Sequence, residues 1–308
     1  MNNNIEVLNY CAHAIDGLRT DAEIIRRVMP LSAFAYSRLC GLLERSVKFI
    51  LPNRCELLDL GELKQSHLDR VKLPYPVVAF EAPWEDRGDL RPIGGMRQAA
   101  ATKRIALCWE ADPNYELLPG MNSMIAKFPS GGIFVLPIFW GPEFVSWTVG
   151  MGGMFFPYGS DITVVGQDAH PVSKIFKEAM IGAGRVSGKS PAYNAVPFIV
   201  LPELFAHRTV ELGSQDRAFA QIAIDASDEM YMLIQACSVI DRANATTMDV
   251  AAPEMLNKKR EAKGKQPFFS YKVLQLAEGH QKNTESSLEA RTLAPEHTIV
   301  EAICGGSP

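Results

Sequence analysis

Apolar positions recur at helical spacing from the start of the chain. Ile5, Leu8, Ala12, Ile15 and Leu18 fall three or four residues apart, the interval that lines side chains along one helix face. Leu31, Phe34, Leu39, Leu42, Leu43, Val47 and Ile50 predict a second helix, bracketed by Pro30 and Pro52. From about residue 56 the texture changes. VVAFEAPW (77–84), RIALCWEA (104–111), DITVVG (161–166) and PFIVL (197–201) are short apolar runs rich in β-branched or aromatic residues. Gly and Pro clusters separate them, which predicts strands. PVSKIFKEAMIGAG predicts a helix with Pro171 near its start and Gly182 or Gly184 closing it.

The longest periodic stretch predicts one amphipathic helix near 216–242. Phe219, Ile222, Ala226, Met230, Leu233, Cys237 and Ile240 form its apolar stripe, and Asp225, Asp228 and Glu229 lie opposite, as on a solvated face. A shorter helix follows at about 253–263, with Pro253 and Glu254 in its first turn and Gly264 at its end, and then FFSYKVLQL reads as a strand. The pattern is α+β: a helical N-terminal region (1–55), a main domain (56–280) with a central antiparallel or mixed sheet, and a weakly structured tail (281–308), together one compact unit.

Composition narrows the function classes. The chain of 308 residues is 47% hydrophobic and 21% charged with a net charge of −4, an ordinary soluble protein with no global basic field. Its six cysteines form no C-x-x-C pair, which suits reduced thiols and a cytoplasmic setting. The opening MNNNIEVLNYC lacks the layout of a signal peptide. Residues 131–156 are apolar but broken by glycines and prolines; no apolar helix of about 18 residues fits, and buried strands with tight turns are expected in place of a membrane span.

Candidate chemistry is sparse. AGRVSGKS (183–190) has the letters of a phosphate-binding loop, which needs a buried strand before it and a helix beginning at its lysine. Here a helical run precedes, Pro191 follows Ser190, and the first position is Ala183, so a glycine-rich, hinge-like surface loop is expected. No histidine stands at metal-ligand spacing from another His or a Cys, no G-x-S-x-G elbow exists, and no metal or cofactor is implied. Asp168 and His170 read as a polar loop or an acid–base couple. Asp225, Asp228 and Glu229, at i, i+3 and i+4, read as a solvated face or as carboxylates for a divalent metal.

The strongest local feature is NKKREAKGKQPFFSYK (257–272). Lys258, Lys259, Arg260, Lys263 and Lys265 place five basic residues within eight, at the end of a short helix whose dipole favours cations. Phe268, Phe269 and Tyr271 follow. Cations beside aromatic faces suit a nucleic-acid backbone and its bases; the alternatives are a protein-facing patch or a solvated helix end, with Phe269, Tyr271 and Val273 alternating into the core.

LNKKREAKGKQPFFSYKVLQL (256–276) resembles a segment of uncharacterised proteins encoded by phages and integrated prophages, where L-N-K-x-R-x-x-x-G-K-x-P-x-x-x-Y follows a helix. LPYPVVAFE (73–81) and the closing TIVEAICGGSP are similar in outline, and the matching pieces cover about an eighth of the chain. That group often carries a His- and Arg-rich stretch after the strand, where this chain has GHQKNTESSLEARTLAPEHT, with His280 and His297 but few arginines. The resemblance implies a phage or mobile-element origin and no particular chemistry. The expectation is an accessory protein of the bacterial host cytoplasm that binds nucleic acid or a host protein through Lys258, Lys259, Arg260, Lys263 and Lys265, with Tyr271 as a stacking or orienting group. The alternative is an enzyme acting on a phosphate-containing substrate near Lys189 or the basic patch, with Asp225 and Glu229 holding a metal.

Overall fold

The apolar runs of the middle of the chain become strands of one sheet. The computed structural model describes residues 7–57, 64–85, 92–159, 171–190, 194–240 and 245–276. Its strands are β1 (Val47–Ile50), β2 (Val77–Pro83), β3 (Lys103–Glu110), β4 (Gly132–Gly141), β5 (Ser146–Val149), β6 (Gly152–Pro157), β7 (Val196–Ile199), β8 (Ala245–Val250) and β9 (Tyr271–Leu276). Its helices are α1 (Tyr10–Ile25), α2 (Pro30–Arg45), α3 (Gln65–Leu68), α4 (Asn122–Ile125), α5 (Pro171–Gly182), α6 (Pro202–Leu212), α7 (Gln215–Asp225), α8 (Ser227–Ile240) and α9 (Glu254–Glu261). The fold is α+β. The sheet runs β7-β6-β4-β3-β2-β1-β9-β8, with β5 on β4. It is mixed: β7 to β2 pair antiparallel, whereas β1 is parallel to both β2 and β9.

Strand alternation assigns two cores. Val78, Phe80 and Ala82 of β2 join Ala106 and Cys108 of β3 and the apolar faces of α5, α7 and α8. Ala79, Ile105, Leu107 and Trp109 face the other way, onto α1 and α2. The N-terminal helices therefore cover one face of the sheet, and Met1–Gln275 is one unit. Each large apolar side chain buried between the layers contributes about 1.5–3 kcal/mol. Gly152 and Gly153 let β6 sit close to its neighbours: a Cβ would lie 2.0 Å from the Phe198 carbonyl oxygen at the first and 2.1 Å from that of Val135 at the second.

Two sequence expectations need correction. The second helix stops at Arg45. Ser46 turns extended while its N–H still bonds Leu42 and Leu43, so Val47 and Ile50 belong to β1, where branched side chains fit the pleat. The single helix over 216–242 is two helices, because Ala226 adopts φ −86°, ψ 0°. Gln98 occupies the break, its Nε2 donating to the Asp225 carbonyl (3.3 Å), Ser227 Oγ (3.2 Å) and Asp228 Oδ2 (3.0 Å). The strand expected at 161–166, Asp168, His170 and the tail of 281–308 lie outside the described residues. Among the described residues no helix is long and apolar enough to cross a membrane.

Candidate functional site

The basic segment is a docked arm. α9 buries no side chain, so its own apolar surface does not hold it in place. Three polar residues do. Asn257 brackets Phe268, donating from Nδ2 to its carbonyl (2.9 Å) and accepting its N–H at Oδ1 (2.7 Å). Arg260 donates to the Gln266 carbonyl (2.6 Å) and to Asp16 Oδ2 (2.6 Å), and its guanidinium lies 4.2 Å from the Phe268 ring centroid. Asp16 Oδ1 accepts the Gln266 N–H at 2.8 Å, so one carboxylate of α1 fastens both ends of the turn. Gly264, at φ +66°, closes α9 in the left-handed conformation that glycine accepts without strain.

This geometry divides the predicted contact residues. Lys258, Lys259, Lys263 and Lys265 are exposed, and none of them makes an ion pair among the described residues. Arg260 is committed to Asp16 and Phe268 and serves to position the arm. Tyr271 is not a stacking group. It is 1% exposed, and its hydroxyl donates to Glu81 Oε1 at 2.8 Å in the core beneath α1. Strand alternation places it there with Ile50 and Val273. Glu81 also accepts the N–H groups of Tyr10 (2.9 Å) and Cys11 (2.7 Å), capping a helix whose Asn9 supplies no side-chain cap. Burial raises the Glu81 pKa against the pull of those donors.

Beside the arm runs a groove of about 500 Å³ between α1 and the β4–β5 hairpin. Tyr10, Trp140 and Trp147 form its floor, with Tyr10 and Trp147 centroids 5.4 Å apart and the two tryptophans 5.8 Å apart, edge to face. Lys103 Nζ stands 5.6 Å from the Tyr10 centroid and 5.2 Å from that of Trp140. Thr20, Asp21 and Ser146 add polar groups. His13 belongs to both surfaces: it lines the groove and meets Phe268 of the arm edge to face at 5.6 Å. Its pKa is held below 6.5, first by desolvation and then by Arg260, with Lys103 and Lys265 adding to the effect against Asp16. Sequence reading passed over Lys103, Trp140 and Trp147, which sit on separate strands. The one local hint was a lysine–arginine pair opening an apolar strand.

Of the three carboxylates read as a solvated face, two are buried and Asp225 is half-buried. Asp228 and Glu229 are both inaccessible to solvent, and the cation they face comes from β3. Arg104 Nη1 lies 2.8 Å from Glu229 Oε1 and Nη2 3.3 Å from Asp228 Oδ2. Burial pulls the Arg104 pKa down, and Glu229 and Asp228 together more than restore it. Burial pushes Glu229 up to about 7 despite Arg104, and Asp225 up to about 6 although Ala99 and Gln221 donate to it. Arg185 completes the cluster, 3.6 Å from Asp228 Oδ1 and 4.8 Å from the ring centroids of both Trp84 and Tyr231. It comes from the AGRVSGKS stretch. The loop is at the surface, with Gly184, Gly188 and Lys189 exposed, while the Arg185 side chain reaches into the core, and no helix begins at Lys189. Asp228 and Glu229 are paired with arginines, and among the described residues no group of three or more His, Cys, Asp or Glu could hold a metal ion. The cluster lies on the sheet face of α7 and α8 and the basic arm on that of α1, so the sheet separates them. Compared with models of protein families, with curated proteins and with solved structures, the chain matches none.

Proposed function

We propose that this chain is a phage- or mobile-element-encoded accessory protein that works in the host cytoplasm by binding nucleic acid along the 257–270 arm and the adjoining groove. One observation carries the reading: four exposed lysines that make no ion pair among the described residues, on an arm fastened to α1, adjoin a groove with Lys103 and an aromatic floor. Unpaired lysines hold counterions that a phosphate backbone displaces, and the release of those ions favours binding. A rigid arm loses little conformational freedom on contact. The contact residues are Lys258, Lys259, Lys263, Lys265 and Lys103, with Arg260 positioning the arm.

The test is fluorescence anisotropy with labelled oligonucleotides at about 50 and about 200 mM salt. Affinity should fall steeply with salt. Replacing Lys258, Lys259, Lys263 and Lys265 with Ala should weaken binding and flatten the log–log slope by up to about 0.9 for each phosphate contact removed. These side chains are exposed, so the variant should fold as the parent does. Equal affinity and slope for both proteins rules the reading out.

A further inference from the structure

We propose that the groove beside the arm receives an unpaired base, so that the preferred ligand is a single strand and not a closed duplex; this rests on the nucleic-acid reading of the same site. The floor is the first observation. Tyr10 and Trp147 are buried, and Trp147 packs against both Tyr10 and the half-buried Trp140, so the ring surface offered to a base is that of Trp140, which its neighbours already hold in place. Lys103 is the second. Its ammonium stands beside two ring faces and makes no ion pair among the described residues, leaving it available to a phosphate attached to the bound base. The third is the polar edge: Thr20, Asp21 and Ser146 can accept and donate hydrogen bonds to the edge of a base.

Size and continuity select among ligands. At about 500 Å³ the groove lies within the range of small-molecule sites and takes one nucleotide, not a double helix. Bases within a duplex have both faces covered by neighbours and cannot enter without being extruded. His13 joins the groove to the arm, so a chain seated by one base passes directly onto the side where Lys265 and Arg260 lie. Gly17 supplies the room. A Cβ there would meet only Trp147, at 3.7 Å, in ordinary contact, so a longer side chain points into the groove without displacing backbone.

The experiment compares a labelled single strand, the same strand made abasic, and the blunt duplex, each against the parent, Gly17→Leu and Lys103→Gln. The single strand should bind about tenfold or more tightly than either other ligand, the worth of one stacked base. Gly17→Leu should bring the single strand down to the duplex level and leave duplex binding unchanged. Lys103→Gln should weaken the single strand most while keeping the circular dichroism and melting temperature of the parent. If single strand, abasic strand and duplex bind alike and Gly17→Leu changes nothing, the groove assignment is overturned and the arm reading stands. If none of the three ligands binds the parent, both fall.

Discussion

Glu229 sits in the core at a pKa near neutrality because burial outweighs the attraction of Arg104. A group whose pKa is higher folded than unfolded binds its proton more tightly in the native state. Its stabilising contribution is complete below the unfolded value, near 4.5, and is lost as pH rises through about 7. Between pH of about 5 and about 8 the protein should therefore lose on the order of 2 kcal/mol through this residue. Glu229→Gln, measured by thermal melts across that range, should match the parent at the acid end and exceed it at the alkaline end. Tyr271 gives a second test at this scale. Tyr271→Phe removes a hydrogen bond to a buried carboxylate and should cost about 1.5–3 kcal/mol in urea denaturation. It should leave oligonucleotide affinity unchanged, because the ring never reaches solvent. Neither role could be read from local sequence. The polar face of a 3.6-residue pattern looks the same whether water or a distant arginine covers it, and the partner of Glu229 lies 125 positions earlier in the chain.

At the scale of elements the sequence was more informative, because periodicity is a local property. The strand runs at 77–84, 104–111 and 131–156 became β2 to β6, and the helices expected at 171–182 and 253–263 formed within a residue or two of their signals. The failures came where a tertiary partner intervened. Gln98, more than a hundred residues away, occupies the break between α7 and α8, and pairing with β2 captured Val47–Ile50 as a strand. The glycines that seemed only to interrupt 131–156 make close strand contact possible. Gly153→Ala would place a methyl 2.1 Å from the Val135 carbonyl oxygen and 2.7 Å from the Phe198 ring, and should destabilise by about 3 kcal/mol or more in chemical denaturation. The hairpin edging the groove behaves in the opposite way. Val145 is exposed at φ +50°, a costly conformation for a β-branched residue. Val145→Gly should raise stability by about 1 kcal/mol, seen as a higher melting temperature.

For the molecule as a whole, the sheet keeps two charged regions apart. One face holds the arginine–carboxylate cluster in its core, which ties α8 and the 183–190 loop to β3; the other carries a docked basic arm whose charges remain available. The basic arm was visible in the sequence as a run of lysines, but its docking was not. Asp16 is an unremarkable helical acid until the fold brings Arg260 and the Gln266 N–H to it across some 250 residues. That docking is partly buried and charge-assisted, so it is worth on the order of 1–2 kcal/mol. Asp16→Ala should therefore release the arm without unfolding the sheet, whose strands depend on apolar burial and not on this carboxylate. Limited trypsin digestion gives a direct readout, since the arm is rich in cleavage sites. In the parent the Lys258–Lys265 bonds should resist cutting, because a fixed backbone fits a protease cleft poorly; in Asp16→Ala they should be cut early, before any bond within β2–β6. Oligonucleotide affinity should fall in the same variant, because the lysines are then no longer aligned with the groove and must be ordered at binding. Early cleavage with undiminished affinity would mean that the lysines bind as a flexible loop between β8 and β9, and that the groove and the arm work separately.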